Sequence, residues 1–107
     1  MSRQNPQALM RQLQDVQDKM LEEQQALEHE TVEISVGGGA VKVVMNGHQK
    51  VESVTIAPEL LEAGEADMLT DLLVAGFNEA VERSQAVAQE RMGAITNSLN
   101  LPPGMGL

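Results

Sequence analysis

The chain has 107 residues, with seven Lys or Arg against 16 Asp or Glu, which gives a formal net charge of −9 at pH 7. This length is typical of one domain, and the acidic balance argues against non-specific attraction to nucleic acid or to anionic membranes. The absence of cysteine excludes disulfides, thiolate metal sites and cysteine nucleophiles, and it is consistent with a cytoplasmic protein.

The first predicted element is a long amphipathic helix that covers residues 6 to about 28. Asn5 followed by Pro6 is a typical helix start, because Asn caps the free amide groups and Pro occupies a position whose amide is unpaired anyway. Apolar side chains then recur at alternating steps of four and three residues, which predicts a narrow seam that packs against a partner helix. This seam consists of Leu9, Leu13, Val16 and Met20.

Three strands are predicted after this helix. From Thr31 the apolar pattern alternates every second residue, as it does in a strand with one buried face. The second strand ends at Asn46-Gly47, a dipeptide favoured in two-residue type I′ hairpins, which predicts a positive φ at Gly47. The third strand covers residues 50–57 and ends before Pro58, since proline donates no ladder hydrogen bond. We therefore expect a three-stranded antiparallel meander.

Three consecutive glycines, Gly37, Gly38 and Gly39, precede the second strand and raise the question of a phosphate-binding loop. Such a loop presents its backbone amides at the start of a helix and continues into a Lys-Ser or Lys-Thr pair. Here the glycines lead into an alternating apolar run around Lys42, and neither feature follows. The sequence predicts a turn, and nucleotide hydrolysis is not expected.

A second long helix is predicted for residues 65–96, after a short turn at residues 58–61. Its apolar stripe includes the small residues Ala80, Ser84 and Ala88, which would allow another helix to approach closely. The fold class is thus α+β, with the element order α-β-β-β-α. Residues 1–100 are predicted to form a single domain, and residues 101–107, which lack a periodic pattern, a mobile tail.

The residues that could carry chemistry form no recognisable constellation. His29 and His48 are the only imidazoles, and neither has a second ligand at metal-binding spacing. No serine motif combines a nucleophile with a base. No apolar run reaches the roughly 20 residues that a membrane span needs. We expect no catalysis, no metal, no cofactor, no small-molecule substrate and no membrane partner.

Short motifs follow one another in a fixed order along nearly the whole chain, and together they resemble one family. A seam helix, a glycine turn, an N-G hairpin, a strand closed by proline, a second long helix and an L-P-P-G segment succeed each other. This order is similar to that of the YbaB/EbfC family of small bacterial nucleoid-associated proteins. The matching segments are Leu9-Met10-Arg11, Lys19-Met20, residues 39–43, Asn46-Gly47, and residues 56–61, 75–80 and 101–104.

The resemblance implies a homodimer in which paired sheets form a body and the helices project as arms, in a tweezers-like shape. It also implies non-catalytic binding of duplex DNA in the cytoplasmic nucleoid, with effects on nucleoid organisation and gene regulation. Basic side chains on the helices and the N-terminal segment are the implied DNA contacts: Arg3, Arg11, Lys19, Arg83 and Arg91.

Two interpretations of the basic residues on the first helix stand side by side. Asp15 lies four residues from both Arg11 and Lys19, so these cations are predicted either to form helix-stabilising ion pairs or to contact phosphates. The alternative function is a dimeric adaptor whose acidic helices engage a basic protein partner and which has little DNA affinity. Binding of single strands is disfavoured on either interpretation, because Phe77 is the only aromatic residue.

Overall fold

The structure, a computed structural model, describes residues 5–98, in which two long helices accompany a three-stranded sheet. The predicted α-β-β-β-α order is confirmed, and the predicted boundaries agree to within one or two residues. The predicted tail, residues 101–107, lies outside the described residues. The elements are α1 (Pro6–His29), β1 (Thr31–Val36), β2 (Val41–Asn46), β3 (Val51–Ile56), a short 3-10 helix (Pro58–Leu61) and α2 (Ala66–Ser98).

The sheet is an antiparallel meander with β2 in the centre. Val43 of β2 is paired with Ile34 of β1 and Val54 of β3, so these three side chains share the face that α2 covers. The helix lies over β1 and β2 and leaves β3 beside it, which is why Val43 is fully buried while Val54 remains 38% exposed. The buried core consists of Ile34, Val41, Val43, Met45, Leu60 and Ala80.

The small residues of α2 allow the helix to lie close to the sheet. Ala80 and Ser84 are both fully buried, and the Ser84 hydroxyl donates a 2.7 Å hydrogen bond to the carbonyl oxygen of Asn46 at the end of β2. A side chain on Gly76 would lie 3.4 Å from Val43. The prediction that this stripe receives another helix is therefore wrong for Ala80 and Ser84, whose neighbours belong to the sheet and its hairpin.

The triple glycine is the turn between β1 and β2, as predicted. Gly37, Gly38 and Gly39 all have positive φ, at 63°, 68° and 93°, a backbone conformation that other residues rarely adopt. The amide of Gly39 donates to the carbonyl oxygen of Val36 at 3.2 Å, which closes the turn. The Gly39 amide thus serves the hairpin and not the start of a helix.

The loop between β2 and β3 differs from the predicted type I′ turn. Gly47 lies outside the left-handed region, and the positive φ of 62° belongs to Gln49. The amide of Gln49 donates to the carbonyl oxygen of Asn46, and the amide of Asn46 donates to that of Lys50, which makes a three-residue hairpin loop whose last residue is left-handed. The Gln49 side chain supports this conformation by donating to Ser84 Oγ at 2.8 Å.

This hairpin caps the C-terminal end of α1. The last carbonyl groups of a helix lack partners within it, and here the loop supplies them. The amide of Gly47 donates to the carbonyl oxygen of Leu27 at 2.8 Å, and the side-chain amide of Asn46 donates to that of Glu28 at 3.2 Å. His48 Nε2 lies 2.8 Å from the carbonyl oxygen of Gln24, so the imidazole carries a proton on Nε2. The cap fixes the end of α1 to the sheet.

Candidate nucleic-acid interface

The N-terminal part of α1 extends away from the rest of the protein as an arm, defined here as residues 6–19. Every residue from Pro6 to Asp15 is exposed, whereas Leu27, near the C-terminal end of the helix, is buried. The radius of gyration is 20.5 Å, compared with roughly 13 Å for a compact domain of this length. The long axis of the protein measures 77 Å. Such a shape offers an extended surface to a partner.

The arm has an apolar side and a charged side, on which Asp15 and Asp18 accompany the two cations. At 3.6 residues per turn, Arg11 and Lys19 lie about 80° apart around the helix, and their mean direction is about 130° from that of the seam. Both cations are exposed, and within residues 5–98 neither forms an ion pair, although Asp15 stands four residues from each. The ion pairs with Asp15 that the sequence offered as one interpretation are therefore absent from the described residues.

The seam itself is only partly covered. Leu9 and Leu13 are 44% and 55% exposed, and Val16 and Met20 are half-buried. The partner helix expected from the spacing is thus missing from the single chain over the N-terminal half of the seam, where α2 does not cover it.

The two predicted cations on α2 have different surroundings. Arg83 is exposed and has no ion pair among the described residues. It is adjacent to Ser84 and therefore lies at the level of the hairpin, not on the arm. Arg91 forms ion pairs with Glu23 and Glu30. The hydrogen bond from its guanidinium to Glu23, followed in importance by the one to Glu30, raises the pKa of Arg91 above the ordinary arginine value. Arg3 lies outside the described residues.

Two exposed lysines of the body were not among the predicted contacts. Lys42 lies on the sheet face away from α2, in register between Ser35 and Thr55. Lys50 precedes β3, and its backbone amide donates to Asn46 Oδ1 at 3.1 Å. The alternation of β2 already placed Lys42 on the open face, so the sequence contained a signal for its exposure.

Other kinds of site find little support among residues 5–98. A groove of about 490 Å³ lies between α1, the β2–β3 loop and α2, with Gln24, His48 and Met92 in its lining. No charged residue lines it, so it lacks the cations that a phosphate-bearing ligand needs. No group of three His, Asp or Glu side chains in this part of the chain is arranged to hold a metal ion. None of its helices is long and apolar enough to cross a bilayer.

The fold and the arm define a class of protein. It is an elongated α+β protein whose projecting helix carries charged residues on one side and apolar residues on the other. The sequence profile of the YbaB/EbfC DNA-binding family matches residues 2–99. The chain belongs to this family, as the order of its motifs had indicated.

Individual relatives agree with this assignment. A nucleoid-associated protein of Bordetella avium is 48% identical over 99 residues, which cover 92% of this chain and 91% of the relative. A nucleoid-associated protein of Ruminiclostridium cellulolyticum is 40% identical over 97 residues, covering 91% and 84%. An uncharacterized protein of Helicobacter pylori, whose crystal structure is known, shares the fold with a TM-score of 0.68 at 23% identity, covering 91% of this chain and 99% of that one.

Proposed function

We propose that the protein binds duplex DNA as a homodimer through phosphate contacts, without catalysis, and that it acts in the cytoplasmic nucleoid, in its organisation and in gene regulation. The arm carries this proposal, because Arg11 and Lys19 are exposed, free of ion pairs within the described residues and turned away from the apolar seam. The proposed contacts are these two side chains together with Arg3 and Arg83. Family membership supports DNA as the partner.

The distribution of charge reconciles DNA binding with an acidic chain. Residues 1–19 contain three cations and two carboxylates, so the remaining residues carry a net charge of −10. Screening at physiological salt limits the reach of exposed charges to about 8 Å, and Arg11 lies about 16 Å along the helix from Glu22, the first carboxylate beyond the arm. Phosphates at the arm therefore experience mainly the charges of residues 1–19, which sum to +1. A dimer doubles every such contact.

Two uncovered apolar surfaces support the homodimer. One is the seam of the arm, where Leu13 is 55% exposed. The other is the helix-facing side of β3, where Val51 and Val54 are 42% and 38% exposed because α2 lies over the other two strands. The edge of β3 also has unpaired backbone groups, which proteins normally cover or protect. A second copy of this chain is the proposed cover for both surfaces.

The dimer is tested with a charge placed in the seam. Leu13→Glu would bury an unpaired carboxylate in the interface and should shift the protein towards the monomer, since such burial is strongly unfavourable. Gln12→Glu is the matched control, because it adds the same charge at the adjacent, exposed position of the same helix. Sedimentation across a concentration series measures the dissociation constant. A wild-type protein that remains monomeric at micromolar concentration would exclude the proposed dimer.

DNA binding is tested by its dependence on salt. Each neutralised phosphate contributes about −0.9 to the slope of log K against log salt concentration, so a dimer in which four to six of the eight proposed basic side chains contact phosphates at once should give roughly −4 to −5. Replacing Arg11 and Lys19 with Gln removes four cations per dimer and should flatten the slope by about 3 to 4 units. Affinity should fall similarly on unrelated duplexes, because phosphate contacts carry no base information.

The matched control removes the same charge from the body. Lys42→Gln together with Lys50→Gln also removes two cations per chain, and it should leave the slope nearly unchanged if the arm makes the contacts. Equal effects of the two double variants would place the contacts elsewhere. A wild-type protein that fails to shift duplex DNA at low salt would instead favour the acidic adaptor.

A further inference from the structure

Arg91 joins the two long helices at one point. Its Nε donates to Glu30 Oε1 at 2.6 Å, and one of its terminal nitrogens donates to Glu23 Oε2 at 2.5 Å; the other terminal nitrogen also pairs with Glu30. Glu23 lies within α1 and Glu30 directly follows that helix, whereas Arg91 belongs to α2. One guanidinium thus binds both ends of the last two turns of α1. We call these three residues the clamp.

We infer that Arg91 is a positioning residue, which holds the α1 arm at a fixed angle to α2 and does not itself contact DNA. The inference about DNA depends on the function proposed above, whereas the inference about the arm angle stands independently. The sequence suggested that Arg91 contacts phosphate; in this proposal Arg91 instead affects DNA binding only by positioning the arm.

The electrostatics of the clamp favour this role over a phosphate contact. Two carboxylates already pair with the guanidinium, and Glu90 lies beside the clamp in a second groove that the three clamp residues also line. This site therefore has a net negative charge and would repel a phosphate group. The Arg91 side chain is 33% exposed, and those of Glu23 and Glu30 are 28% and 36% exposed, so the three groups are partly shielded from solvent. Arg11 and Lys19, by contrast, are exposed and unpaired in the described region.

The position of the clamp explains how it would act on the arm. The hairpin holds one side of α1 through Gln24, Leu27 and Glu28, and the clamp adds a second attachment through Glu23 and Glu30. Arg11 is 12 residues beyond Glu23, or about 18 Å along the helix. A tilt of about 10° at Glu23 would move Arg11 by roughly 3 Å, a distance comparable to a hydrogen bond. In a dimer the same tilt occurs in both arms and changes their separation.

The arm angle can be measured without DNA. The chain has no cysteine, so cysteines introduced at the exposed positions Gln12 and Thr55 can be spin-labelled specifically. Dilution with excess unlabelled protein removes most label pairs that lie on different chains. Double electron–electron resonance then reports the distribution of distances within one chain. Arg91→Gln should broaden this distribution or shift it by several ångströms. An unchanged distribution would overturn the inference.

Removing the carboxylates of the clamp separates the two roles of Arg91. The double variant Glu23→Gln/Glu30→Gln makes the protein less acidic and frees the guanidinium, so a phosphate-contacting Arg91 would bind DNA more tightly. A positioning Arg91 predicts weaker binding, by about threefold to tenfold if the productive arm orientation falls to a third or a tenth of the population. The control Glu22→Gln/Glu28→Gln removes the same charge from exposed, unpaired positions of α1 and should not weaken binding.

Variants of Arg91 itself complete the test. Arg91→Lys keeps the charge but loses the planar set of donors that reaches two carboxylates, so it should resemble Arg91→Gln in both arm angle and affinity. Neither variant should change the salt slope, since no phosphate contact is lost. A slope flattened by about 2 units in Arg91→Gln, with near-normal binding by Arg91→Lys, would overturn the inference. If the wild type binds no DNA, the proposed function fails while the spin-label distances still decide the role of the clamp.

Discussion

Gly47 provides the most direct test of how α1 is joined to the sheet. A β-carbon built on Gly47 would lie 2.6 Å from Leu27 Cδ2, and 2.8 Å from both Leu27 Cβ and the carbonyl oxygen of Leu27. All three distances are below those of real contacts, and the carbonyl oxygen belongs to the backbone, which cannot rotate away as a side chain does. Gly47→Ala should therefore push the hairpin away from the end of α1.

The expected loss of stability has two sources. Overpacking of a well-packed site typically costs about 1–3 kcal/mol. Displacement also weakens the 2.8 Å hydrogen bond from the Gly47 amide to Leu27, whose net contribution is about 0.5–1.5 kcal/mol. We expect a total of about 2–4 kcal/mol, which should lower the Tm by roughly 8 °C or more in a domain of this size. No part of this loss comes from φ, because Gly47 lies outside the left-handed region.

Thermal melts followed by circular dichroism at one fixed protein concentration measure this loss, and the fixed concentration keeps any dimer contribution constant. Gly93→Ala is the matched control, because an added β-carbon in α2 at Gly93 meets nothing within 4 Å. It should stabilise the protein by up to about 1 kcal/mol through helix propensity. A Gly47→Ala protein that melts within a degree of the wild type would refute the close approach of the hairpin to α1.

Three further predictions concern the hairpin and the exposed strand. Ser84→Ala removes a buried hydroxyl that bonds both Asn46 and Gln49, and it should cost about 1–3 kcal/mol in chemical denaturation. Asn46→Ala deprives two loop amides and a helix carbonyl of their partner and should cost about 2–4 kcal/mol, with amide exchange accelerated at the end of α1. Val54→Glu should weaken the proposed dimer in sedimentation, whereas Thr55→Glu, on the opposite sheet face, should not; equal effects would exclude the helix-facing side of β3 as an interface.

The fold was largely predictable because its elements have strong local signals. The Asn5-Pro6 start of α1 is confirmed, and the Asn5 side chain accepts from the Gln7 amide at 2.9 Å. The period-two pattern of β2 placed Val41, Val43 and Met45 on one face, and all three are buried. These features depend on residues that are neighbours in sequence, which is why periodicity and capping rules suffice to find them.

The errors arose where distant segments meet. Asn46-Gly47 has the composition of a type I′ turn, but the left-handed conformation falls on Gln49. Glycine is needed at position 47 for another reason, because a β-carbon there would collide with Leu27 of α1. Similarly, nothing near Arg91 in the sequence reveals that its partners are Glu23 and Glu30, more than 60 residues earlier. Local rules assign a residue its conformational preferences, and long-range packing then decides which of them are realised.

The candidate interface also depends on where the fold places each charged side chain. Net charge alone predicts repulsion from DNA, because it counts every charge equally, whether or not the side chain is exposed or already paired. The structure distinguishes these cases, since Arg11 lies on an exposed helix that projects from the sheet while Arg91, which looks equivalent in the sequence, is paired with two carboxylates. A cation contributes to phosphate binding only if it is exposed and not already neutralised. By this criterion we expect the arm, and not the total charge, to determine DNA binding, and the salt slopes of arm and body variants measure that contribution directly.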